Sequence, residues 1–172
     1  MSVFYTTRWP SESDSGLVVM LSSKPVLTEA AVTEIVAASW RQAIELGDAV
    51  TVVVVGDAAA PRALLRMDGA DLLTVGFALG KARLAATNAM PTRRWRGLAS
   101  TDPYLAATVP IALDRLLGGA VLFAGGYPVQ VGGVTIGGIG VSGGSEAADD
   151  DIARAGLASS GEAEQFTTAD AP

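Results

Sequence analysis

Residues 125–144 read GGYPVQVGGVTIGGIGVSGG. Glycines stand in pairs at Gly125/Gly126, Gly132/Gly133, Gly137/Gly138 and Gly143/Gly144, and between them lie β-formers: Tyr127, Val129, Val131, Val134, Thr135, Ile136, Ile139 and Val141. The pattern predicts a β-hairpin turning at Gly132-Gly133, because a tight hairpin turn needs positive φ at its centre and glycine takes it without strain. The second strand is itself glycine-rich. Glycine weakens a strand interior, so the backbone there is expected to bend or to be approached closely by a ligand or another segment. The chain then leaves through Ser142-Gly143-Gly144-Ser145 into a helix.

Two well-known motifs overlap in this stretch. Gly138, Gly140 and Gly143 satisfy GxGxxG, but a dinucleotide site needs a βαβ unit and an acidic residue further on, and only one helix and an acidic tail follow. Gly140, Ser142 and Gly144 satisfy GxSxG, but the chain has no histidine, so no Ser-His-Asp triad can be assembled. A twisted hairpin ending in a helix cap accounts for the same residues. A further reading is that the amides of Ser142 to Ser145 bind an anion at the helix N-terminus.

Upstream, Thr28 is placed to cap a helix whose apolar positions Val32, Ile35, Val36, Ala43 and Leu46 recur at helical spacing until Gly47. Ala49 to Val55 (AVTVVVV) predicts a strand covered on both faces. A turn from Gly56-Asp57 to Pro61 leads into a returning strand, Arg62 to Met67. A helix from Asp71 to Met90 follows, with Gly76 and Gly80 suited to close packing, and Pro91 ends it. Thr92 to Gly118 is less periodic and predicts short helical pieces and a loop; Ala120 to Phe123 reads as a short strand, and Ser145 caps a last helix to about Leu157. Three segments result: an N-terminal extension at 1–24 with an edge strand at Leu17 to Leu21, a domain at 25–158, and a disordered acidic tail at 159–172.

Composition narrows the function. The chain is 49% hydrophobic and 17% charged, which suggests apolar surface buried against other subunits. A net charge of -6 argues against nucleic acid, the nearest basic cluster being Arg93, Arg94 and Arg96. No run approaches the ~18 apolar residues of a membrane span and no leader pattern opens the chain, so the expected location is cytoplasmic. The absence of histidine and cysteine removes the usual general base and the commonest metal ligands.

The ordered combination of LLRMDGA at 64–70, GKARLAA at 80–86, the glycine stretch and DDDIARAGL at 149–157 resembles the haem-degrading-domain family, which includes HbpS and GlcG proteins and the C-terminal domain of PduO-type proteins. The resemblance spans roughly residues 25–158. It implies an α/β (α+β) profilin-like sandwich, an antiparallel sheet of about five strands with helices on both faces, assembled as dimers or larger rings. Some relatives bind haem, and some of those use a histidine as an axial ligand or nearby contact. This chain has none, so the expectation is no cofactor, with haem disfavoured.

Candidate site residues follow from charge and position. Arg66 and Lys81 are placed to converge on a carboxylate or phosphate, with Met67, Phe77, Arg83, Gly125, Gly126, Ser142 and Gly143 around the ligand. For catalysis, Lys81 is the candidate base, Asp68 its partner, and Tyr127 or Tyr104 the proton donor. Set against this, Asp68 with Lys81 or Arg66 is equally an internal ion pair, Phe77, Trp95 and Phe123 could wall an apolar pocket but such aromatics are more often plain core, and Asp149, Asp150 and Asp151 serve the helix dipole. The expected function is a homo-oligomeric small-molecule-binding protein, with a pocket near the glycine hairpin and Arg66/Lys81 and a small, anionic organic ligand. The alternatives are a cofactor-independent acid/base enzyme of isomerase, lyase or cyclase type, and haem binding or degradation without a histidine ligand.

Overall fold

The computed structural model describes residues 25–119 and 121–160. In chain order the elements are α1 (Glu29–Leu46), β1 (Thr51–Val55), a short 3-10 turn (Asp57–Ala59), β2 (Pro61–Arg66), α2 (Leu73–Asn88), α3 (Thr92–Thr101), α4 (Pro103–Leu117), β3 (Gly126–Val131), β4 (Val134–Ser142) and α5 (Glu146–Ser159). Two hairpins, β1–β2 and β3–β4, join through an antiparallel β1–β4 pairing into a four-stranded sheet of order β2-β1-β4-β3.

Helices cover both faces. Every side chain of β1 is buried, and period-two alternation sends Val52 and Val54 to the core formed with α1 and α5, and Val53 and Val55 to the core formed with α2. In β4 the alternation slips by one. Val129 faces Gly137 while Gln130 faces Thr135, so Ile136 is the extra residue of a bulge and shares a face with Ile139 three positions on. The remaining glycines of β4 point at α2. A Cβ at Gly140 would run into the Ala78 carbonyl oxygen, and one at Gly138 into that of Ala82, so a helix lined with Ala78, Ala82 and Ala86 rests directly on strand backbone.

The hairpin turn is as expected, with φ of 56° at Gly132 and 78° at Gly133. Thr28 caps α1 and Ser145 caps α5, each hydroxyl accepting from the backbone N–H three residues on. Two expectations change. The described sheet has four strands rather than about five: Leu17 to Leu21 lies outside the described residues, as does Ala120, and Val121 to Phe123 are not extended into a strand. The Thr92 to Gly118 segment is two consecutive helices rather than short pieces and a loop. Asp102 accepts from the amides of Tyr104 and Leu105, and Pro103 opens α4 where a missing N–H costs nothing. Residues 1–24 and most of the 159–172 tail also lie outside the described part. Among the described residues no helix is long and apolar enough to cross a membrane.

Candidate functional site

A charged cluster lies where α2, the β3–β4 ribbon and the first turns of α5 meet. Lys81, on the sheet-facing side of α2, is only 1% exposed. Its Nζ donates to the Val141 carbonyl at 2.7 Å and to Asp149 Oδ2 at 2.7 Å. The other carboxylate oxygen of Asp149 accepts the Gly144 amide at 3.0 Å. Burial raises the Asp149 carboxyl above its ordinary value and outweighs the opposing pull of Lys81 and the Gly144 N–H.

The next residue of α5 holds the other half. Asp150 accepts the Tyr127 hydroxyl at 2.8 Å, Arg93 Nη1 at 2.8 Å and Arg154 Nε at 3.0 Å. Arg154 Nε also donates to the Tyr127 oxygen at 2.9 Å. The guanidinium carbons of Arg93 and Arg154 stand 5.7 and 5.6 Å from the centre of the Tyr127 ring. The Tyr127 phenol is pushed well above its usual range, first by burial and then by the charge and hydrogen bond of Asp150; Arg93 and Arg154 offset part of this. Outside this core, Thr92 donates to the Phe123 carbonyl and accepts the Gly126 amide, and Arg96 pairs with Glu146, which also accepts the Ala124 amide.

The cluster therefore holds Lys81, Arg93 and Arg154 against Asp149 and Asp150, with a protonated phenol between. It brings together Lys81, Tyr127, Gly125 and Gly126 from the residues expected by sequence. The Gly125 carbonyl accepts the Val141 amide, and a Cβ at Gly126 would strike Thr92 and Lys81. The others lie elsewhere. Asp68 is exposed and is not the partner of Lys81: that place belongs to Asp149, which the helix brings in beneath the sheet end. Arg66 donates to the Ala70 carbonyl at 2.7 Å, closing its own turn. Met67 packs against the α1/α5 core, Phe77 is 42% exposed on α2, and Arg83 is half-buried with its guanidinium beside Gly118. Ser142 is buried opposite Thr51, and Gly143 leaves the strand with φ of 147°.

The amides proposed as an anion site are partly filled from within. Asp149 takes the Gly144 N–H and Ser145 takes that of Ala148. Asp149, Asp150, Arg93, Arg154 and Thr92 were not among the expected site residues. The one local signal was the i,i+4 spacing of Asp150 and Arg154.

Among the described residues, two hollows that open to solvent stand out. The larger, about 410 Å³, is a cleft between α1 and β2. One end is apolar, walled by Val36, Ala37, Trp40 and Leu65; the other carries Glu29, Thr33 and Arg62. Trp40 is 44% exposed, and Arg62 is steadied by a 2.9 Å bond from Nη1 to the Leu27 carbonyl. The smaller, about 170 Å³, lies beside the 3-10 turn and is lined in part by Asp57, Thr87 and Thr135. Neither hollow is lined by Lys81 or Tyr127. Among the described residues no group of three or more His, Cys, Asp or Glu could hold a metal ion.

Comparison with known proteins gives one family. The description "Haem degrading protein HbpS-like" matches residues 27–158. Among solved structures, the chain is similar to the PduOC:haem complex, at 29% identity and a TM-score of 0.70 over 78% of this chain and 95% of that one. It is similar to protein ORFY of Klebsiella pneumoniae at 27% identity and a TM-score of 0.73, over 82% and 96% of the two chains. A double mutant of HbpS from Streptomyces reticuli matches at 29% identity and a TM-score of 0.70, over 85% and 97%. No curated protein matches the chain.

Proposed function

Because the chain belongs to the HbpS-like family of haem-degrading proteins, we propose that it is a small-molecule-binding protein whose ligand lies in the cleft between α1 and β2. The observation that carries this reading is the two-ended lining. An exposed Trp40 offers a flat apolar wall, and Arg62, held by the Leu27 carbonyl, presents a guanidinium at the other end. Binding pockets of roughly 300–1,000 Å³ with apolar walls and a few fixed polar groups suit drug-sized organic molecules. The ligand is an apolar, aromatic or alicyclic body carrying a carboxylate or another acceptor for Arg62. The pocket expected between the glycine hairpin and Arg66/Lys81 has less behind it, since Lys81 is enclosed by its ion pair and Arg66 is turned to the Ala70 carbonyl.

Haem is the ligand named for one structural relative. The cleft lining contains no imidazole, thiolate, thioether or phenol, the usual axial donors to haem iron, so these residues do not fit axial ligation. Acid/base chemistry is the second reading, favoured by the buried Lys81–Asp149 and Tyr127–Asp150 contacts, in which burial raises the Asp149 carboxyl and the Tyr127 phenol.

The test uses anilinonaphthalene sulfonate as a small aromatic anion, followed by its fluorescence. Trp40→Ala and Arg62→Gln are each expected to weaken binding by ~10-fold, the size of one lost stacking or charge-assisted contact. Unchanged affinity in both variants would sink the cleft. Haemin and metal-free protoporphyrin are expected to bind alike; a sharp Soret shift confined to haemin would show that iron is ligated after all.

A further inference from the structure

The cleft between α1 and β2 carries charges of both signs at one end and an aromatic wall at the other. Glu29, Thr33, Val36 and Trp40 follow one another along a single face of α1, so the helix sets its polar residues at its start and its indole three turns on. At 1.5 Å of rise per residue, Thr33 and Trp40 stand ~10 Å apart along the axis. From β2, Arg62 reaches the start of the helix and is steadied on two sides. Its Nη1 donates at 2.9 Å to the Leu27 carbonyl, and its stem lies over Gly56, where a Cβ would come 3.0 Å from the Arg62 Cγ.

The acceptors come from α1. Thr33 commits its hydroxyl proton to the Glu29 carbonyl at 3.0 Å, which leaves the Thr33 oxygen with lone pairs to offer a guest. Glu29 adds a carboxylate at the same end, and among the described residues neither Glu29 nor Arg62 is in an ion pair, with the other or with any further group. A guest bearing only a carboxylate would satisfy Arg62 but set a second negative charge near Glu29; one bearing an ammonium beside its carboxylate answers both. Resting on the reading of this cleft as the ligand site, we propose that the ligand is a zwitterionic α-amino acid with a large apolar side chain. Its carboxylate lies on Arg62, its ammonium on Glu29 and the Thr33 oxygen, and its side chain runs past Val36 and Leu65 to Trp40. The ~10 Å from Thr33 to Trp40 matches the length of an amino acid with an aromatic side chain. Glu29 is then the residue that sets specificity, separating an amino acid from the plain carboxylic acid that Arg62 alone would take.

Calorimetric titration of the full chain with three probes sharing one indole body tests this: L-tryptophan, with both charges; indole-3-propionate, with the carboxylate only; and tryptamine, with the ammonium only. L-tryptophan is expected to bind at least ~5-fold tighter than either of the others, the size of one exposed charge contact. Glu29→Gln is expected to weaken L-tryptophan and tryptamine by ~5-fold while indole-3-propionate holds or gains, and Arg62→Gln to weaken L-tryptophan and indole-3-propionate while sparing tryptamine. A carboxylate that served only the dipole of α1 would lower the melting temperature of Glu29→Gln and leave the ratio of L-tryptophan to indole-3-propionate affinity as it was. The proposal is overturned by that unchanged ratio, by indole-3-propionate binding as tightly as L-tryptophan, or by absence of L-tryptophan binding at millimolar concentration. Each of these outcomes leaves the cleft standing as a ligand site so long as Trp40→Ala and Arg62→Gln weaken anilinonaphthalene sulfonate. If they do not, the cleft falls and the amino-acid reading falls with it.

Discussion

Tyr127 shows how a single side chain records its surroundings. Its hydroxyl is buried against a carboxylate, so ionisation would place two negative charges together away from water. The folded phenol thus keeps its proton to higher pH than the unfolded one, and its contribution to stability is complete below pH about 10 and is lost as pH rises beyond it. An absorbance titration of tyrosinate is expected to show one of the chain's three tyrosines ionising only with alkaline unfolding, and Tyr127→Phe to flatten that decline. Three tyrosines titrating together in the folded protein would refute this. Asp149 has the same sign: its raised carboxyl contributes stability at pH values below the ordinary carboxylate range and loses it as pH climbs through its own. Lys81 and Tyr127 could be picked out from the sequence as residues of interest. Their carboxylates could not, because Asp149 lies 68 positions from Lys81 along the chain and reads locally as a helix-dipole charge.

Among the elements, the contact of α2 with β4 is the tightest constraint. Glycine on the strand faces alanine on the helix, and the two backbones touch where side chains ordinarily intervene. Gly140→Ala is expected to cost ~3 kcal/mol or more, since the new methyl meets helix backbone that has no rotamer to change. Gly133→Ala, in the open hairpin turn, carries only the left-handed backbone penalty of ~1 kcal/mol. Urea melts of the two variants check the ranking; equal losses would mean that α2 does not sit on bare strand. The glycine-rich strand announced a close approach, but the identity of the approaching segment was not legible. Nor was α3–α4, whose arginine run and Pro110 blur helical spacing, while the Asp102-Pro103 junction restarts the helix.

At the scale of the whole molecule, the described surface leaves several large apolar side chains exposed, among them Leu72 at 74%, Leu73 at 69% and Val26 at 66%. Exposed apolar side chains of this size on a chain only 17% charged are expected to be covered by further copies of the chain. Light scattering at micromolar concentration is expected to give a dimer or larger, and a monomeric mass would contradict it. Apart from α3 and α4, the helices and the two antiparallel hairpins were determined by the sequence alone, because caps, glycine turns and apolar periodicity act within a few residues of one another. Which charges meet, which helix lies on the bare strand, and where a cleft opens were decided only by the tertiary structure, because each depends on groups that are distant in the chain and become neighbours when both faces of the sheet are covered.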